Sequence, residues 1–263
     1  LCSHSVGLRA KKSSTTKKFY KLWQEKGAES WPAWLEIIEE AKKSLAKLLN
    51  TEPSLLCPQV NVSSSLAKII PSLKKEPLRK ILLLSEKDFP TIAYALQGIK
   101  DQDLELKYIP KEEDLKKIST WKKYLKDDVW LAHITHASSH TGELFPVKDI
   151  SQLCRKRKII SVLDLAQSVG IKNINLSEID CDFALISSVK WLFSGPGACF
   201  LWLSKNMIHN CHPKDRGWFS HENPFSKDPY NFSFANDASR FWGGTPNVLP
   251  YAHLVDSLKL ILE

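Results

Sequence analysis

Asp164 and Lys190 each follow a short apolar run, Ile159–Leu163 and Phe183–Ser187, with room between them for one short connection. An acid and a lysine thus end two neighbouring strands and can face one cavity. A lysine amine at a desolvated strand end has a lowered pKa and attacks carbonyl carbon to form an imine. A carboxylate beside it can keep the nitrogen of a heteroaromatic ring protonated, which makes that ring an electron sink. Upstream, Asn61-Val62-Ser63-Ser64-Ser65 offers hydroxyls and backbone N–H groups where a helix opens, a setting that receives phosphate. Aldehyde, ring nitrogen and phosphate together describe pyridoxal 5'-phosphate. Each signal alone has a plainer reading: Asp164 as a turn or N-cap residue, Lys190 as a solvated side chain, Ser63–Ser65 as a helix cap. Their order and context carry the assignment.

The elements that must position these residues alternate along the chain. Amphipathic helical patterns fall at Trp34–Leu49, Thr91–Lys100, Glu112–Leu125 and Val147–Lys156. Between them lie runs rich in leucine and β-branched residues: Leu55–Val60, Arg79–Ser85, Glu105–Ile109, Val129–Thr135, Ile159–Leu163, Phe183–Ser187 and Cys199–Leu203. Apolar runs without alternation suit strands buried on both faces, and repeated strand–helix–strand order predicts an α/β domain with a mainly parallel sheet. The last three runs are closely spaced, so an antiparallel strand among them is expected. In such sheets ligands sit beyond the carboxyl ends of the strands, which is where Asp164 and Lys190 fall. Residues 205–247 show little periodicity, and Pro250–Leu262 opens a helix that reaches the last residue uncapped.

Composition narrows the function classes. The net charge of +8 is spread over lysine-rich runs rather than interleaved with aromatics, so a solvated surface or a small anionic ligand is expected rather than nucleic acid. No stretch approaches the roughly 20 apolar residues of a membrane span, and Leu1-Cys2-Ser3-His4 lacks both an initiator Met and a signal-peptide pattern. Six scattered cysteines without C-x-x-C spacing suit reduced thiols and a cytoplasmic setting. His133, His136 and His140 have helical metal-ligand spacing but lie at the end of a strand-like run, and His209, Cys211, His212 and His221 lack carboxylate support, so no metal is expected. Ser64 lacks a nucleophile elbow, and there is no P-loop or Gly-x-Gly-x-x-Gly.

The block Val162-Leu163-Asp164-Leu165-Ala166-Gln167-Ser168-Val169-Gly170, then Asp182-Phe183, Ser187-Ser188-Val189-Lys190-Trp191-Leu192 and Gly195-Pro196-Gly197, resembles the cofactor core of class V pyridoxal-phosphate enzymes. Within that superfamily it is similar to kynureninases. His4-Ser5-Val6-Gly7-Leu8, Phe89-Pro90-Thr91, Thr141-Gly142, Gly217-Trp218-Phe219-Ser220-His221-Glu222 and Arg240-Phe241-Trp242-Gly243-Gly244-Thr245-Pro246 follow in that family's order. The resemblance implies a three-layer α/β sandwich, the large domain of fold-type I enzymes. Residues 31–249 would form it, 1–30 would pack with a C-terminal small domain expected beyond Glu263, and 250–263 would begin the linker helix to that domain.

It also implies roles. Lys190 would carry the cofactor as a Schiff base, Asp164 would pair with the ring nitrogen, and Phe89 would stack on the ring. Ser63 and Ser64 would hold the phosphate. Thr91 and Ser138 lie in cofactor-side loops, and Gln167 can reach the cofactor's 3-oxygen or a substrate group. Trp218, Gly244 and Thr245 would complete a site, the last two in a turn commonly donated to a partner subunit of a homodimer. The implied reaction is hydrolytic Cβ–Cγ cleavage of a kynurenine-type amino acid to an anthranilate-type product and alanine, a step of tryptophan catabolism toward NAD. Val189 stands where kynureninases carry Tyr, Ile92 where they carry Asp, and Gln167 where they usually carry His. Two alternatives follow: an aminotransferase or lyase of the same superfamily, favoured by Gln167, and a catalytically impaired binding homologue, favoured by Val189 and Ile92.

Overall fold

The computed structural model describes residues 2–74, 76–99 and 103–263. Seven strands form one sheet: β1 (Leu56–Gln59), β2 (Ile81–Ser85), β3 (Glu105–Ile109), β4 (Val129–Thr135), β5 (Ile160–Asp164), β6 (Phe183–Ser187) and β7 (Cys199–Leu203). Their spatial order is β1-β7-β6-β5-β4-β2-β3. β7 runs antiparallel to both β1 and β6, and the remaining pairs are parallel. Residues 188–198 join β6 to β7 without a crossover helix, and a parallel return would need one. The antiparallel member expected among the last three strands is therefore β7.

Every residue of β2 and β7 is buried, as is nearly every residue of β4, β5 and β6. Successive side chains point to opposite faces, so both faces of the sheet are covered and the architecture has three layers. The helices that cover it are α1 (Ser14–Lys26), α2 (Trp31–Leu48), α3 (Val62–Ser72), α4 (Pro90–Ile99), α5 (Ile118–Tyr124), α6 (Val147–Lys156), α7 (Lys205–Asn210) and α8 (Leu249–Leu262). α3 lies on β6 and β7, α6 on β4 and β5, and α8 packs against α1 and α2.

Three local expectations are corrected. β3 is an edge strand with Glu105 and Lys107 exposed, so it is solvated on one side rather than buried on both. The helix expected over Glu112–Leu125 begins only at Ile118. Asp114 turns the chain first, its carboxylate accepting the Lys116 N–H at 3.0 Å and its carbonyl the Thr120 hydroxyl at 2.8 Å. The helix expected over Thr91–Lys100 begins at Pro90, and Lys100 lies outside the described residues. α1, with only Thr15, Thr16 and Phe19 buried, and the two-turn α7 lack a strong apolar stripe and are additions to the expected set.

Candidate active site

The carboxyl ends of β4, β5 and β6, the loop after β2 and the first turn of α3 enclose a cleft of about 250 Å³. Ser63, Phe89, Thr91, Ser139, Asp164 and Lys190 line it. Asp164 ends β5 opposite Thr135 of β4 and Leu185 of β6. Its Oδ1 accepts the Ala166 N–H at 2.8 Å, while Oδ2 lies 3.9 Å from His133 Nε2. Burial pushes the Asp164 carboxyl up, opposed by His133, the Ala166 N–H and Lys190. Lys190 sits in a tight loop fixed by the Ser188 hydroxyl on the Ala198 carbonyl and the Ser194 N–H on the Ser188 carbonyl. Its amine lies 5.8 Å from the centre of the Phe89 ring, which is 53% exposed and free to stack on a planar ligand. Burial lowers the Lys190 pKa, against the pull of Asp164.

Hydroxyls complete the cleft. Ser63 and Thr91 share a hydrogen bond of 2.8 Å across its α3 side. The Ser139 hydroxyl is buried in the cleft wall without a hydrogen-bond partner, a group that calls for a ligand atom. A half-buried amine, a buried carboxyl, an exposed ring and hydroxyls, one of them without a partner, are the donor set that a phosphorylated pyridine aldehyde needs, and the cleft fits that group.

Other residues singled out in the sequence lie elsewhere. Ser64, Gly244 and Thr245 line an adjacent cavity of about 270 Å³ with Lys68 and Asp215, so the first turn of α3 separates the two spaces. The N–H of Ser64 is already taken by the Asn61 side chain at 2.8 Å. Trp218 packs edge-on against Phe219, Phe225 and Trp31 and borders a third surface hollow. Ser138 is buried in the loop after β4, its hydroxyl accepting the N–H groups of His140 and Thr141. Gln167 does line the cleft, but its amide donates to the His4 carbonyl at 3.0 Å and accepts the Trp191 indole N–H at 3.0 Å. Ile92 is buried in the core beneath the cleft.

Asp88 escaped the sequence reading of the site, and His133, Ser139 and Gly7 were given no role of their own in it. His133 and Asp88 are joined at 3.1 Å. The signal was present in His133, a titratable residue inside a mostly apolar strand, but not in its partner, which lies on the loop after β2. Gly7 donates its N–H to the Val189 carbonyl at 2.8 Å, laying the start of the chain against the Lys190 loop.

A family model described as "Aminotransferase class-V" matches residues 14–263. The chain belongs to the class-V aminotransferase family. This class-V chain is 25% identical to the uncharacterized aminotransferase YcbU of Bacillus subtilis over 99% of its own length and 68% of that protein's. It is 27% identical to the kynureninase of Deinococcus radiodurans over 89% of its length and 56% of that protein's, and equally identical to that of Burkholderia mallei over 86% and 56%. The chain thus spans little more than half the length of those kynureninases. Among solved structures, the cystine C-S lyase C-DES in complex with cysteine persulfide superposes with a TM-score of 0.89 at 20% identity, over 99% of this chain and 71% of the other. The apo cysteine desulfurase of Thermococcus onnurineus gives 0.81 at 20% identity, over 99% and 66%. These likenesses show the fold-type I architecture, and the class-V chain uses pyridoxal 5'-phosphate as its cofactor.

Proposed function

We propose that this class-V chain acts on an amino acid in the manner of a kynureninase, hydrolysing the Cβ–Cγ bond of a kynurenine-type substrate. The reading is carried by one observation, the buried Asp164 and half-buried Lys190 lining one cleft with the exposed Phe89 ring. The Phe89-Pro90-Thr91 and Gly217-Trp218-Phe219 segments and the likeness to kynureninases support this branch.

When bound, pyridoxal phosphate supplies an electron sink for charge left at the substrate's α-carbon. The chain's own residues do the rest. Lys190 would hold the cofactor through its amine, and the same amine is the group placed to accept and return the substrate's α-proton. Burial lowers its pKa, which favours the unprotonated amine that this role needs. Asp164 holds the ring nitrogen's proton, and its raised proton affinity suits sharing a proton with a pyridine. Phe89 covers the ring, while Ser63, Thr91 and Ser139 offer hydroxyls to the cofactor's phosphate and oxygen atoms. None of the six cysteines lines the cleft, and burial pushes Cys57, Cys154 and Cys199 up to about 12, which disfavours a thiolate nucleophile at those positions.

A second reading, an aminotransferase or lyase, is favoured by Gln167. A side-chain amide cannot exchange a proton near neutral pH, and Lys190 alone suffices for transamination, whereas hydrolysis needs further proton transfers. The YcbU relative supports the same reading. Protein supplied with pyridoxal phosphate is expected to show the yellow Schiff-base absorption, and Lys190→Ala to lose it; an unchanged Lys190→Ala spectrum would remove Lys190 from the role. Incubation with kynurenine is expected to release anthranilate. Keto-acid formation without anthranilate would overturn hydrolysis in favour of transamination.

A further inference from the structure

The side chain of His133 has no exposed surface, and it sits within the apolar strand β4. A buried imidazole costs free energy unless its nitrogens are paired. On one side the pairing is complete. Nδ1 lies 3.1 Å from Asp88 Oδ2, and Asp88 also accepts from the Thr135 hydroxyl at 2.6 Å and the Ser85 N–H at 2.9 Å. An ionised carboxylate only accepts, so Nδ1 carries a proton and donates it. On the other side, Nε2 is buried with no hydrogen-bond partner and faces Asp164 Oδ2 at 3.9 Å. That distance is too long for a hydrogen bond but within ion-pair range.

Charge balance decides the state of Nε2. Were it bare, a lone pair would face a carboxylate oxygen, and two buried carboxylates would flank a neutral ring. Protonated, the imidazolium leaves one negative charge over, which the Lys190 amine or a protonated ring nitrogen can match. Asp164 Oδ1 is already held by the Ala166 N–H, so Oδ2 is the oxygen open to both partners. Burial by itself would lower the His133 pKa, but Asp88 and then Asp164 outweigh it and raise it. The other groups at hand are Lys190, beyond Asp164, and Cys199 of β7, which feels Asp164 but whose thiol, pushed up to about 12 by burial, stays neutral.

We infer that His133 is a positioning residue of the cofactor site: an imidazolium clamped by Asp88 that keeps Asp164 ionised and its Oδ2 available to the ring nitrogen. The inference rests on the assignment of Asp164 and Lys190 to the cofactor. It belongs to this chain's own residues, since His133 touches neither the cleft surface nor, by itself, any reacting atom.

The test is the pH dependence of the Schiff-base absorption in holoenzyme, with cofactor affinity and thermal midpoint measured alongside. Without the imidazolium Asp164 binds its proton more tightly, the ring nitrogen loses its partner, and the ring withdraws fewer electrons from the imine. In His133→Gln the spectral midpoint is therefore expected to rise by about one pH unit and the cofactor Kd to weaken on the order of tenfold. Asp88→Asn, which leaves the ring in place but removes its clamp, is expected to move the midpoint in the same direction. A His133→Gln protein with lower thermal stability but unchanged midpoint and Kd would reduce His133 to a packing residue. Should His133→Gln fail to fold, Asp88→Asn decides alone, a shift supporting the inference and a constant midpoint overturning it. A wild-type chain that takes up no cofactor would sink the Lys190 assignment and this inference together, an outcome distinct from a normal wild type with an indifferent His133 variant.

Discussion

At the scale of single residues, Lys190 stands between opposing influences. Burial favours its neutral amine, while Asp164 favours the ammonium, and the balance lowers its pKa from 10.5. Only the neutral amine attacks an aldehyde, so cofactor capture by the ligand-free protein should accelerate with pH and level off below that value. Stopped-flow growth of the Schiff-base absorption checks this, and a rate still climbing tenfold per pH unit through pH 10 would contradict it. Gly7 makes a steric prediction. A Cβ there would lie 2.1 Å from the Lys190 carbonyl oxygen and 2.6 Å from the Phe193 ring, and the nearer obstacle is backbone that cannot swing aside. Gly7→Ala should therefore displace the Lys190 loop and weaken cofactor affinity at least several-fold by titration. Affinity equal to wild type would mean that the start of the chain yields instead. The placing of Lys190 and Asp164 in one cleft was legible in the sequence from their position past two strand ends, and that of Phe89 only through the family resemblance. The partners of Gln167 were not, because its bond to the His4 carbonyl spans 163 residues and no local pattern encodes it.

Among elements, those with a clear local pattern, an apolar run or a helical stripe, were read well: β3, β4, β6, β7 and α6 have the expected bounds. Where the reading failed, the start of an element was set outside its own pattern, by the nearby Asp114 turn for α5 and by a distant side chain for α1. Its first turn is capped by Asp256 of α8, which accepts the N–H groups of Thr15 at 2.8 Å and Thr16 at 3.1 Å and the Thr16 hydroxyl at 2.8 Å. A cap borrowed from the other end of the chain leaves no signature beside the helix. Asp256→Ala should cost about 2 kcal/mol, the upper end for loss of a cap, and lower the melting temperature by roughly 4–8 °C. Burial works against the charge of Asp256, but the Thr15 and Thr16 donors outweigh it and hold the carboxyl below the usual 3.8. Because the folded pKa is depressed, the stabilisation is present above pH 3.8 and lost as pH falls through the folded value. The wild-type advantage over Asp256→Ala, followed by denaturation at several pH values, should shrink below pH 4. A constant difference would mean that packing, not charge, joins α1 to α8.

For the whole molecule, the unresolved relation is between three separate spaces: the Lys190 cleft, the cavity of Ser64, Gly244 and Thr245, and the hollow beside Trp218. The class-V resemblance that groups all these residues in one site is reconciled with one chain that separates them if two copies associate and each lends a turn to the other. The exposed aromatic surface agrees with such use: Trp218 is 37% exposed, Phe225 56% and Tyr230 91%, within one irregular segment. Sequence alone carries the residue types but not their distribution between copies, since the order of motifs along a chain is the same in either arrangement. The expectation is that the protein elutes at the mass of two chains, and that Trp218→Ala weakens cofactor binding while leaving the Lys190 loop intact. Lys190→Ala and Trp218→Ala protein, each deficient alone, should then regain cofactor absorption when unfolded and refolded together, because a mixed pair contains one cleft with both residues wild type. At equal mixing, half of the pairs would be mixed and one site in four would hold both residues. Recovery toward that fraction supports lending between copies; absorption no greater than the sum of the two separate variants would confine each site to its own chain.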